Sequence, residues 1–367
     1  MKIYNKENSK KEKIFFNEIF EDNTRFCKKI NQIEYLNEGE IPIIDQGKSE
    51  IAGYSNLKEN IYNDIPAIIF GDHTRSIKYI DFPFLIGADG VKVLKNKRED
   101  FLDKYLYYAL KYFKIPNTGY NRHFKWLKEF SIYSLKIEEQ NKIVRVLDNI
   151  QEIIKIKKEQ LLQLNELSKS IFIEMFGDPI KNGKKWKLEK MLVVAPIQQS
   201  IKISKEMVWL LNLDGIESET GKIIKYEKKL CKEIEKNSII SFNEENVLYS
   251  KLRPYLNKVV IPEEEGYGTS ELLPLKPDKN KIKRIFLANL LRTKSFVNYV
   301  NNKTIGAKMP RVSTKEIMNF NCIIPPIELQ NSFAERIKMI EKSKVEIQKS
   351  IEETQKLFDS LMEKYFG

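Results

Sequence analysis

Arginine presents several N–H donors in a fixed planar fork, which suits it to grip a phosphate or to bond both acceptors of a guanine edge. This chain has only 10 arginines against 53 lysines in 367 residues. Four of the ten stand in distinctive company. Arg75 closes the run Phe70-Gly71-Asp72-His73-Thr74-Arg75, and Arg253 lies in Lys251-Leu252-Arg253-Pro254, each after a strand-like stretch. Arg122 and Arg311 lie in glycine-led runs, Gly119-Tyr120-Asn121-Arg122-His123 and Gly306-Ala307-Lys308-Met309-Pro310-Arg311, whose flexible neighbours let the backbone approach a duplex. With His73, Thr74, Asn121, His123, Lys251 and Lys308, these four make up a candidate DNA-binding set, offering donors for base edges and cations for phosphates. The competing reading of each is a surface ion pair or a turn residue.

Catalytic constellations are missing from the sequence. Gly183-Lys184-Lys185 has neither the first glycine nor the Ser or Thr of a phosphate-binding loop. An adenine methyltransferase needs Asn or Asp before Pro-Pro, but Pro325-Pro326 follows Ile324. Pro277-Asp278 lacks the Glu-x-Lys that completes a nuclease metal site, and reads as a solvated loop. Cys27, Cys231 and Cys322 are scattered and form no C-x-x-C pair, and only His73 and His123 supply imidazole, so neither disulfides nor zinc are expected. No catalytic site is therefore expected on this chain.

The net charge is +12 and the sequence pI about 9.2. It is unevenly spread: residues 1–136 carry +4, 137–177 carry −1, 178–326 carry +10 and 327–367 carry −1. A surplus confined to two large segments points to a polyanion partner; a lysine-rich compositional bias is the alternative. A hydrophobic fraction of 42% suits chains that bury a core. No apolar run approaches the roughly 18 residues of a membrane span, and Met1-Lys2-Ile3-Tyr4-Asn5-Lys6 does not resemble a signal peptide. A cytoplasmic protein without a membrane partner is the expectation.

An internal repeat organises the chain. Ile137-Glu138-Glu139-Gln140-Asn141 recurs as Ile327-Glu328-Leu329-Gln330-Asn331, and the offset holds ungapped to Phe176-Gly177 and Phe366-Gly367, with nine of 41 positions identical. Apolar residues then recur at spacings of four and three. The first seam runs through positions 143, 147, 150, 154, 157, 161, 164, 168, 171 and 175, and the second through 333, 337, 340, 344, 347, 351, 354, 358, 361 and 365. Eight of ten are apolar in each seam, with Lys157 and Lys344 among the interruptions. A sustained 3.5-residue period predicts two long supercoiling helices, each with a stripe that needs a partner. Antiparallel pairing within the chain is the economical arrangement; parallel pairing, a homodimeric zipper and an ordinary core stripe are the alternatives.

The segments between the helices share punctuation. Ala67 to Arg75 parallels Asn246 to Pro254, the turns Gly87-Ala88-Asp89-Gly90 and Gly266-Tyr267-Gly268-Thr269-Ser270 follow, and aligning Gly119 with Gly306 aligns Lys128-Glu129 with Lys315-Glu316. Amphipathic helices are expected around Phe101 to Tyr112 and Ile285 to Tyr299. In these runs and in Pro325-Pro326-Ile327-Glu328-Leu329-Gln330 the chain resembles the specificity subunits of type I restriction-modification systems, over essentially its whole length. It departs from the pattern in having Leu135-Lys136 where the second helix has Pro-Pro, and no first-domain counterpart of Trp186.

The resemblance implies an α+β fold with two similar target-recognition domains, 1–136 and 178–326, and two long helices, 137–177 and 327–367, forming an antiparallel coiled coil with a pseudo-twofold internal repeat. It implies a non-catalytic subunit that reads a bipartite, asymmetric target in double-stranded DNA. Two adenine-N6 methyltransferase subunits, and further a restriction subunit, would be its partners, carrying the SAM, ATP and Mg²⁺. A stand-alone DNA-binding adaptor and a coiled-coil scaffold are the competing classes.

Overall fold

The run Ala67-Ile68-Ile69-Phe70 has no polar residue to turn toward water, and such a run suits a strand covered on both faces. In the computed structural model the strand Ala67–Gly71 is buried throughout. It lies between Val91–Asn96 and Ile77–Ile80 in a four-stranded antiparallel sheet edged by Phe20–Asp22. A second sheet orders Lys29–Ile30, Leu85–Gly87, Ile41–Ile44 and Gly53–Ser55. The helix Asp103–Tyr112 adds Tyr105, Leu106, Ala109 and Leu110 to the core formed by Phe16, Ile68, Phe70 and Phe130. The structure describes residues 12–119, 121–234, 239–306 and 308–367; Met1 to Lys6, Tyr120 and Ala307, noted above, lie outside them.

The chain divides into two compact units, Met1–Ile156 with Ile351–Gly367, and Lys157–Ser350. The second unit has a four-stranded sheet of Glu227–Leu230, Met207–Leu211, Gly266–Thr269 and Ile239–Phe242, and a three-stranded one of Val259–Val260, Val247–Ser250 and Leu272–Leu275. Helices Arg284–Arg292 and Lys294–Asn301 close its core through Phe286, Leu287, Leu290, Phe296 and Val300. Sheets and helices mix in both units, which is the expected α+β class.

The two long helices run Ile137–Phe176 and Ile327–Phe366, 40 residues each, or about 60 Å at 1.5 Å per residue. Gly177, at φ +75°, ends the first, and Trp186 Nε1 donates to the carbonyl of Phe176, satisfying an acceptor at that end. None of the twenty seam positions is exposed. Within the second unit Phe172 and Phe176 pack edge-on against Phe333, and the Lys157 ammonium donates to Ser350 Oγ at 2.6 Å. Within the first, Ile143, Val144 and Phe366 cover one side of the globular core. The unit boundary therefore falls inside both helices, because each globular core takes in one end of each of them.

The repeated glutamine has the same bonds twice. Gln140 accepts from the Leu102 N–H and donates to the carbonyls of Asp100 and Leu135, at 2.9, 2.7 and 2.8 Å. Gln330 accepts from the Lys283 N–H and donates to the carbonyls of Lys281 and Pro325, at 2.8, 3.0 and 2.8 Å. Both side chains are wholly buried. Each glutamine fastens the start of a long helix to the backbone that opens the principal helix of its unit.

Candidate nucleic-acid interface

In the first unit the strand Ala67–Gly71 ends in a tight turn that returns as Ile77–Ile80. Glycine is required at its start, since a Cβ on Gly71 would fall 2.3 Å from Thr74 Oγ1. Thr74 Oγ1 donates to the Gln46 carbonyl and the His73 N–H to Gln46 Oε1, which pins the turn from outside. Asp72 then ties it to a loop some fifty residues later. Its carbonyl accepts from the His123 N–H at 2.8 Å and lies 2.9 Å from His123 Nδ1, and its carboxylate accepts from the Phe124 N–H at 2.7 Å. His73 Nδ1 lies 3.2 Å from the Asn121 carbonyl. The Phe70–Arg75 and Asn121–His123 runs thus form one surface, with Thr74, Asn121 and Arg122 exposed and His73 and Arg75 half-buried. Beside it an open groove of about 280 Å³ is lined by Thr74, Arg75, Ile77, Lys111, Phe113 and Ile115.

His123 requires a correction as a direct contact. It is wholly buried. A carbonyl can only accept, so Nδ1 carries a proton toward Asp72, and Nε2 lies 3.4 Å from Thr118 Oγ1. His123 holds the loop in place; Arg122 before it is exposed, while Phe124 after it packs against the core.

The second unit repeats the arrangement with different side chains. After the strand Val247–Ser250, the Arg253 N–H donates to the Pro310 carbonyl at 2.7 Å, and the Val312 N–H donates to the Lys251 carbonyl at 3.1 Å. The strand Thr304–Ile305 pairs with Arg311–Val312 as a hairpin, with Gly306 at φ +97° after its first strand. Arg253, Lys308 and Arg311 are exposed and Lys251 is half-buried. The Arg311 fork is already occupied: Nε and Nη2 donate to the two Glu271 carboxylate oxygens at 2.9 and 2.5 Å. The free bidentate donor expected at Arg311 is therefore an ion pair, with two of its five N–H groups committed to Glu271 and the rest of the guanidinium exposed. Arg122, by contrast, has no hydrogen-bond or ion-pair partner among the described residues.

Arg75 and Arg253 adopt left-handed backbone conformations, φ +61° and +49°, which cost a non-glycine residue roughly 1–2 kcal/mol. Replacing either by glycine relieves that strain but adds freedom to the unfolded chain. The expected result is stability held within about 1 kcal/mol in thermal melts, with a weaker DNA complex whose salt slope falls by about one. A complex of unchanged affinity and salt dependence would remove Arg75 or Arg253 from the interface.

Glu271 and Gln46 were not evident as site residues in the sequence. Neither has a local motif, and each reaches its loop from a distant segment. Burial pushes the Cys27 thiol up to about 12, with Asp22 adding to the effect, and burial likewise raises Cys322, so neither serves as a thiolate nucleophile. Among the described residues no group of three or more His, Cys, Asp or Glu is placed to hold a metal ion, and no helix is long and apolar enough to cross a membrane.

Comparison with known proteins matches residues 8–166 to the type I restriction modification DNA specificity domain. The EcoDI type I restriction enzyme specificity subunit of Escherichia coli is 26% identical over 161 residues, 42% of this chain and 34% of that protein. The EcoR124I/EcoR124II specificity subunit of the same species is 28% identical over 142 residues, 35% of each chain. The matched region thus spans about a third of the length of these curated relatives. The crystal structure of the type I restriction-modification S subunit from M. genitalium shares the fold over 100% of this chain and 98% of its own, with a TM-score of 0.59 at 16% identity.

Proposed function

We propose that this chain, a member of the type I restriction-modification specificity-subunit family, is the non-catalytic subunit that reads a bipartite, asymmetric DNA target, one half with each unit. The observation that carries this reading is the recurrence of one device. In each unit a strand-end turn and a glycine-led loop, far apart in sequence, are bonded backbone to backbone and surround exposed cations. Thr74, Arg75, Asn121, Arg122 and His73 form the first reading surface, and Lys251, Arg253, Lys308 and Arg311 the second.

The two long helices serve, in this proposal, as an antiparallel coiled coil that sets the distance between half-sites, with the two halves of the chain related by a pseudo-twofold axis. Support comes from which ends meet: Phe176, at the close of the first helix, packs on Phe333, near the start of the second. The same Gln140 and Gln330 bonds at both helix starts support the internal repeat. Two adenine-N6 methyltransferase subunits, with a restriction subunit in the cleaving complex, would dock on this framework and supply SAM, ATP and Mg²⁺ chemistry.

The test is co-purification followed by mapping of methylated adenines in genomic DNA. A copurifying methyltransferase and a two-part methylated sequence are expected, and exchange of one unit's loops should alter only one half of it. No copurifying methyltransferase and no bipartite methylation would overturn the reading. The segment 178–326 carries +10 against +4 for 1–136, so mutations that leave only its half-site engaged should give the steeper loss of affinity with salt, because each neutralised phosphate releases counterions.

A further inference from the structure

Ile305 and Met309 sit where a soluble hairpin is expected to be polar. Strand pairing sets Thr304 opposite Val312 and Ile305 opposite Arg311, while Leu252 bridges Arg311 from the other side. Side chains alternate across a ribbon: Val312 is wholly buried, so the Ile305–Arg311 face points outward. Ile305 is 79% exposed and Met309 54% exposed. Two large apolar side chains therefore project beside Lys308, Arg253 and Arg311, cations able to hold a phosphate backbone. The corresponding loop of the first unit presents Asn121 and Arg122 instead.

We infer that the ribbon of Thr304–Ile305 and Arg311–Val312 enters the DNA major groove and reads thymine through its 5-methyl group, with Ile305 and Met309 as the reading side chains. The inference rests on the proposed function and specifies how the second unit performs it. A two-stranded ribbon is of a size the major groove admits. Isoleucine and methionine offer no strong donor or acceptor, and of the groups that the four base pairs display in that groove only the thymine methyl is apolar. Glu271 holds one edge of the Arg311 guanidinium, so at Ile305 the outer face of the ribbon offers shape and apolar surface, with a positioned cation beside it.

The test uses the full chain with the methyltransferase it co-purifies with, and duplexes carrying its mapped target. Each thymine in both half-sites is replaced in turn by deoxyuridine, which removes only the methyl. Binding should weaken about four-fold per contacted methyl, the effect of exposing one buried carbon, and only within one half-site. The double variant Ile305→Ala, Met309→Ala should bind thymine and deoxyuridine duplexes alike while melting at the wild-type temperature, since both residues are exposed. Equal binding of the two duplexes by the wild type, a target half-site without thymine, or undiminished discrimination by the double variant would each overturn the inference while leaving specific recognition intact. Absence of sequence-specific binding to any duplex would instead bring down the proposed function, and this inference with it.

Discussion

Gln330→Ala lowers the stability of the second unit by about 3–5 kcal/mol, and Gln140→Ala does the same to the first. Truncation removes three hydrogen bonds at each site. It leaves an N–H and two carbonyls around a side chain with no solvent exposure, and an unsatisfied buried group costs about 1–3 kcal/mol. Partial rescue by a trapped water keeps the total below the sum of three such penalties. Hydrogen exchange should show the loss separately in each unit, since the two glutamines bond only within their own. Asn331→Ala is the control: Asn331 is exposed although it belongs to the same repeated motif. Equal effects of Gln330→Ala and Asn331→Ala would show that the glutamine bonds do not anchor the helix.

Arg122→Ala weakens specific DNA binding by about 1–3 kcal/mol, the range for a bidentate contact to a base, and leaves the melting temperature unchanged. Arg122 is exposed and has no partner among the described residues, so its removal strands no protein group. Arg311→Ala behaves differently. It also frees Glu271 beside the proposed phosphate path, so adding Glu271→Gln should restore part of the lost affinity. Competition binding against scrambled duplex separates lost specificity from lost charge. If Arg122→Ala leaves both affinity and target preference unchanged, the first glycine-led loop is not a reader.

The seams were legible because a 3.5-residue period survives any detail of packing: all twenty positions chosen from spacing are at least half-buried. The pairing of strand-end turn with glycine-led loop was legible only as punctuation. That Asp72 meets His123, or that Lys251 meets Val312, depends on sheet topology and leaves no mark in local sequence. His123 misled because a histidine following an arginine in a flexible loop has the composition of a contact, while its burial is decided by a backbone carbonyl fifty-one residues away. Glu271 was invisible for the same reason, its partner lying forty residues along the chain. In the sequence the repeated glutamine is one letter of a duplicated run; its bonds give it a mechanical task.

The Lys157–Ser350 hydrogen bond sets a penalty on slippage. Apolar stripes alone tolerate sliding by a heptad, since one aliphatic side chain replaces another, but an ammonium that must keep its acceptor does not. A heptad is about 10.5 Å of helix, or the rise of about three base pairs of DNA at 3.4 Å each. On the proposed ruler, then, the 2.6 Å Lys157–Ser350 contact would favour one register, and with it one spacer length. Lys157→Leu would remove that preference, and the spacing between the two methylated halves is where its loss would be read.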